Sequence, residues 1–143
     1  MNDKLTSALT SAIYVSRLTL RGEVVDTDEK RIKASGLYED WVEGSHTVGE
    51  VYNAAGQTWE CFQSYDNAVY PDINPNNAAW FTFNRPLHGK SPETARPFVP
   101  VIGAHDMYRE GEYMILDDVM YKCKADTAYS PTDYEGAWEV YGG

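Results

Sequence analysis

Drawn as a helix, residues 3–20 bring Leu5, Leu9, Ala12, Ile13 and Leu20 near one stripe. The rest of the segment is mainly Ser, Thr and Ala with little charge. A helix with such a small-residue back can pack on both sides. Its stripe either lies on its own domain or meets a neighbouring subunit, and the pattern leaves both open. Gly22 interrupts, and a second short helix is expected from Asp26 to Ser35. Asp26 and Glu29 have the D-x-x-E spacing of a capping box. Gly36 stands where a left-handed residue ends a helix, with Leu37 in reach of Ile32.

From Leu37 onward Gly, Asn, Asp and Pro break the chain every few residues, with short β-branched and aromatic stretches between them. Strands are expected near Val51–Asn53, Thr58–Gln63, Trp80–Phe83, Met114–Ile115, Val119–Lys124 and Trp138–Tyr141. Four prolines between Asn84 and Pro100 read as an extended linker. The fold class is therefore α+β. A helical segment (1–38) precedes a first β-module (39–84), a Pro-rich linker (85–103) and a second β-module (104–143).

The two β-modules look like copies. Gly49-Glu50 and Gly111-Glu112 are offset by 62 residues, and the same offset sets Trp59-Glu60-Cys61 on Tyr121-Lys122-Cys123. Ala79-Trp80 and Ala137-Trp138 begin a further A-W-x-x-aromatic match at an offset of 58. Strand alternation puts Trp59 and Cys61 on one side, and likewise Val119, Tyr121 and Cys123. A cysteine avoids water and a charge seeks it, so that side is the inner one. Units of roughly 40 residues are small for independent stability, so the copies and helices are expected to support one another.

The order W…G-E…aromatic-x-C…P…W, carried by Trp41, Gly49-Glu50, Trp59-Glu60-Cys61, Pro75 and Trp80, resembles carbohydrate-binding module family 5/12, the small chitin-binding-like domains. Gly111-Glu112, Tyr121-Lys122-Cys123, Pro131 and Trp138 repeat it. With Thr27-Asp28-Glu29 and the Leu37-Tyr38-Glu39-Asp40-Trp41 junction, the whole chain is similar to small phage and prophage proteins. The resemblance implies two compact three-stranded modules related by duplication, a place in the tail region of a phage particle, and other tail proteins as partners. It departs where chitin-binding members carry extra aromatics, because the second copy has Lys124-Ala125-Asp126-Thr127 there.

Composition narrows the field. Twelve basic against 22 acidic residues give a formal charge of -10, which repels phosphate backbones and anionic membranes. No apolar run reaches the ~20 residues of a membrane span. The amino terminus lacks the continuous hydrophobic stretch of a signal peptide, so synthesis in a bacterial cytoplasm is expected. Cys61 and Cys123 read as buried free thiols, with a bridge between them the lesser alternative. His46, His88 and His105 stand alone in loop-like contexts, and no nucleophile or phosphate-loop motif occurs. No cofactor, metal motif or catalysis is expected, although a calcium-binding loop stays open because no spacing specifies one.

Four Trp and eleven Tyr remain to be placed. Rings that stack on sugars need an apolar face and a wet polar tip. The candidates are Phe62, Tyr65 and Tyr70 in the first copy, which is favoured, and Tyr129 and Tyr134 in the second. Asp66, Asn67 and Asp72 can supply hydrogen bonds. The competing reading packs these tyrosines loop against loop. Two functions follow. One is a non-catalytic tail-region protein touching cell-surface polysaccharide. The other is a pure assembly protein that docks on tail subunits or on itself through residues 3–20.

Overall fold

A computed structural model describes residues 3–142; residues 1, 2 and 143, at the outer ends of the first and last expected segments, lie outside the described residues. A long amino-terminal helix is followed by small, mostly antiparallel sheets, an α+β arrangement. The chain divides into two compact units, one ending at Leu87 and the other beginning at His88.

In the first unit, helix α1 (Asp3–Leu20) buries Ser11 and Leu18. Its leucine stripe points the other way: Leu5, Leu9, Ile13 and Leu20 are 49, 46, 54 and 88% exposed. The small residues are what allow the contact. Ser11 Oγ donates to the Lys33 carbonyl (3.1 Å) and accepts from the Gly36 N–H (3.0 Å). A Cβ on Gly36 would lie 2.3 Å from the Ser7 carbonyl oxygen. Gly36 is therefore required by close approach, and the expected left-handed helix end is not formed: it sits in a 3-10 turn, Ser35–Leu37, without a positive φ. Helix α2 is shorter than expected, Asp28–Lys33. Its cap is Thr27, whose extended backbone brings the side-chain oxygen to the Lys30 N–H at 3.2 Å. Asp26 instead pairs with the Lys30 ammonium at 3.2 Å.

Five short strands complete this unit: β1 (Ser45–His46), β2 (Val51–Ala54), β3 (Gln57–Cys61), β4 (Tyr65–Asp66) and β5 (Asn84–Pro86). β1 pairs with β4, and β2-β3-β5 form an antiparallel sheet. Trp80–Phe83, expected as the third strand, is mostly a 3-10 turn (Trp80–Thr82), and the strand falls next to it, inside the stretch read as linker. Pro86 is tolerated because β5 is an edge strand. Charge fixes β5 more than hydrophobicity does. Arg85 donates to Glu60 Oε1 (2.8 Å) and to both oxygens of Asp28 (2.9 and 2.7 Å), tying β5 to β3 and α2. Burial pulls the Arg85 guanidinium down, but the two carboxylates outweigh it and hold its pKa above the ordinary value.

The second unit contains β6 (Arg96–Pro97), β7 (Tyr113–Leu116), β8 (Val119–Cys123) and β9 (Trp138–Val140), in that sheet order, with β6 parallel to β7 and the others antiparallel. Residues 85–103 are thus not a plain linker: Pro86 and Pro97 end strands, Pro92 opens a 3-10 turn, and His88 is buried. The core is Tyr108, Met114, Cys123, Ala137 and Trp138, with Phe98, Val101, Leu116 and Tyr121 packed around it. Val119, expected inward, is 36% exposed, because it lies at the turn end of the hairpin, beside Asp117-Asp118.

Hydrogen bonds of the first unit recur 62 residues later. Val51 lies opposite Glu60, as Tyr113 does opposite Lys122. Gly49 N–H donates to the Cys61 carbonyl (2.8 Å) and Gly111 N–H to that of Cys123 (2.9 Å). Each cysteine donates its Sγ–H to the carbonyl two residues on, Gln63 or Ala125, at 3.0 Å. Gly49 and Gly111 hold φ of 93° and 90°, a region that favours glycine. Ala55-Gly56 and Asp117-Asp118 both carry positive φ in two-residue hairpin loops, the mark of a type I′ turn. The late tryptophans do not correspond. Cys61 faces Asn84 across the sheet, whereas Cys123 faces Trp138, so Trp80 lies before the strand and Trp138 in it.

Candidate binding site

The sheet of the second unit generates an open cleft by running out of cover. Tyr121 and Cys123 share a face of β8, and their cross-strand partners Val140 and Trp138 share it too. At the Cys123–Trp138 end this face is core: Cys123 is fully buried and Trp138 is 5% exposed. At the Tyr121–Val140 end it opens. There Tyr121, Lys124, Pro131, Thr132, Glu135 and Trp138, with Gly136 and Val140, enclose a cleft of about 500 Å³.

Its far wall is a loop held at several points. Lys124 N–H donates to the Ala137 carbonyl at 2.7 Å. Trp138 Nε1–H donates to the Tyr129 carbonyl at 3.0 Å. Tyr134 N–H donates to the Ser130 carbonyl at 2.8 Å, closing a turn that leads into Glu135–Ala137. The Tyr134 ring lies close on Gly136, where a Cβ would come within 3.0 Å of it. Tyr129 and Tyr134, 60% and 55% exposed, belong to the same loop but do not line the cleft. The cleft therefore combines aromatic surface with an ammonium, a carboxylate and a hydroxyl, the mixture expected of a site for a polar ligand with an apolar face.

In the first unit the equivalent ground is closed. Trp59 occupies the place of Tyr121, and Trp80 packs on it with ring centroids 5.5 Å apart, leaving Trp59 2% exposed. The longer loop before β5 is what carries Trp80 there.

Of the residues expected as a platform in the first unit, Tyr65 and Asn67 are taken up by the fold. Tyr65 is 5% exposed, stacked on Phe83 at 5.1 Å, and its hydroxyl accepts from Trp41 Nε1 (2.9 Å) and bonds with the Tyr52 hydroxyl (3.1 Å). Asn67, 3% exposed, is a loop clamp. It accepts from Gly44 N–H (3.1 Å) and donates to the Tyr70 (3.0 Å) and Ile73 (2.9 Å) carbonyls. Neither presents a face to solvent. Asp66 is exposed but turns back on the Ala68 N–H at 2.9 Å. Phe62 is half-buried, the Asp72 carbonyl accepts from Asn77 Nδ2 at 2.6 Å, and Tyr70, 46% exposed, stands edge-on to Phe83. Of the eight platform and polar residues expected, none lines the cleft; Tyr129 and Tyr134 belong to the loop beside it.

Tyr121, Lys124 and Trp138 were not expected in a site. The signal was the alternation that set Tyr121 beside Cys123; what it does not reveal is which copy is left uncovered. Two histidines also differ from expectation. His46, in β1, and His88, in irregular backbone, are both buried and not alone, with Nδ1 3.2 Å from Glu50 Oε1 and 3.1 Å from Glu112 Oε1. Among the described residues no cluster of His, Cys, Asp or Glu is arranged to hold a metal ion, and no helix is long and apolar enough to cross a membrane. No protein-family model and no curated protein matches the chain.

Proposed function

We propose that the chain is a non-catalytic structural or accessory protein of a phage or prophage tail region. In this reading it is built from two carbohydrate-binding-like β-modules that arose by duplication. The recurring register, glycines and cysteine hydrogen bonds support a common origin for the modules. The cleft of the second unit is the contact for a host-surface glycan. One observation carries that assignment: Tyr121 opens into a cleft lined also by Trp138, Lys124, Thr132 and Glu135, where the first unit closes the same ground with Trp80.

Glu135 is the one carboxylate among the lining residues, whereas glycoside hydrolysis uses a facing pair. That favours holding a sugar over cutting it. A shallow site binds weakly, and many copies on one particle turn weak contacts into firm attachment. The formal charge of -10 favours a neutral glycan over nucleic acid.

The test is a polysaccharide pull-down or glycan array with the full chain. Lys124→Ala and Glu135→Ala, both on exposed residues of the cleft, are expected to weaken binding roughly 10-fold or more. Tyr70→Ala is expected to leave it unchanged. Binding that follows Tyr70 and ignores Lys124 and Glu135 sinks the assignment.

A second reading, favoured by the exposed stripe of α1, is a purely structural protein that docks on other tail subunits or on itself and binds no sugar.

A further inference from the structure

Helix α1 is inside out. At 3.6 residues per turn, Ser11 and Leu18 lie roughly 180° from the line through Leu9, Ile13 and Leu20. Ser11 and Leu18 face the unit at 3% exposure each, and Leu9, Ile13 and Leu20 face away at 46, 54 and 88%. Leu5, 49% exposed, extends the same line. Spacings of four and three through Leu9, Ile13, Ser16 and Leu20 are those of a coiled-coil seam. No Lys, Arg, Asp or Glu falls on it. The charged residues of the helix stand aside: Lys4 is engaged with Asp40 at 3.5 Å, and Asp3 and Arg17 lie on one and the same flank of the seam, near opposite ends.

That placement of charge selects an occupant. We infer that the seam is covered by α1 of a second copy of this chain, running antiparallel. In an antiparallel pair each flank meets the same flank of the partner helix, so Asp3 of each copy meets Arg17 of the other, twice by symmetry. In a parallel pair the flank carrying Asp3 and Arg17 meets the flank of Ala8 and Thr19, which offers neither charge a partner. Opposed helix dipoles favour the antiparallel arrangement further. The inference rests on the assembly reading and narrows it to self-docking.

Size sets its strength. An 18-residue helix is roughly 27 Å long and about 10 Å wide. A pair of such faces falls short of the ~1,200 Å² of total burial typical of stable complexes. The dimer is therefore weak and concentration-dependent, strengthened wherever many copies are held together.

Sedimentation of the full chain from micromolar to near-millimolar concentration tests this. The wild type is expected to shift from monomer to dimer. Leu9→Glu and Ile13→Glu change exposed residues and are expected to keep the circular dichroism of the wild type while weakening association at least ~10-fold. Asp3→Arg and Arg17→Asp are each expected to weaken it several-fold, and the double variant to regain it, because the exchanged charges again meet across the antiparallel pair. A wild type that stays monomeric throughout, a dimer indifferent to Leu9→Glu, or a double variant no better than either single change overturns the inference. Incorporation of Leu9→Glu chains into purified particles separates the broader reading. Particles that lose the variant while the wild type is monomeric leave assembly standing, with a different subunit on the seam.

Discussion

Each cysteine is held the same way, and what that does to its thiol can be measured. Cys61 and Cys123 are fully buried free thiols. Burial pushes both up, and Cys123 reaches about 11 although its hydrogen bond to the Ala125 carbonyl works against the rise. Held that far above an ordinary thiol, Cys123 carries on the order of 100-fold less thiolate in mildly alkaline buffer than an unfolded cysteine. Both cysteines are expected to resist alkylation in the native chain and to react together once urea unfolds it. The sign of the linkage follows. The folded pKa lies above the unfolded one, so the neutral buried thiol contributes its full stability below about pH 8.5. It loses that contribution as pH rises towards about 11. Melts across that window are expected to show falling midpoints, and Cys123→Ala is expected to flatten the fall. A second residue under constraint is Ala55, at φ 53° beside Gly56. A left-handed alanine costs about 1 kcal/mol, and Asn-Gly is the pair that type I′ turns favour. Ala55→Asn is expected to raise stability by about 0.5–1 kcal/mol in urea titrations.

At the scale of elements, polar and small residues decide what hydrophobic patterning leaves open. The strands of both hairpins and the inward cysteines were legible because alternation and the glycine-to-cysteine spacing are local signals. Strand β5 was not, since Asn84, Arg85 and Pro86 show no apolar alternation and the strand is held by Arg85 reaching Asp28 and Glu60. The orientation of α1 was left as two readings for a related reason. Periodicity finds a stripe but does not tell which side faces home when the inner side is made of serines. The candidate site was hardly legible: alternation set Tyr121 beside Cys123, but the openness around Tyr121 depends on a loop too short to place a second ring over it. Two changes test these contacts by urea unfolding. Asp28→Ala removes two of the hydrogen bonds to Arg85, a side chain only 21% exposed, and is expected to cost about 1–3 kcal/mol. Gly36→Ala forces a Cβ onto the Ser7 backbone and is expected to cost about 1–3 kcal/mol, moving α1 rather than the sheets.

For the molecule as a whole the question is whether its two units unfold as one. Each has its own core, around Tyr52, Trp59, Cys61 and Phe83 in the first and around Tyr108, Met114, Cys123 and Trp138 in the second. The second begins at His88 and is small enough that one lost core side chain is a large fraction of its stability. Met114 is completely buried at the middle of that core and faces Tyr121 across the hairpin. Met114→Ala leaves a cavity worth about 2–5 kcal/mol. Amide hydrogen exchange, followed peptide by peptide in the full chain, reports on both units at once. If each unit rests on its own core, protection falls by orders of magnitude over β7, β8 and β9 and stays unchanged over β2, β3 and β5. Should β2 and β3 lose protection to the same extent, the chain is one cooperative body. The expectation that small copies must support one another would then hold, and a change made in the cleft of the second unit would be felt at α1.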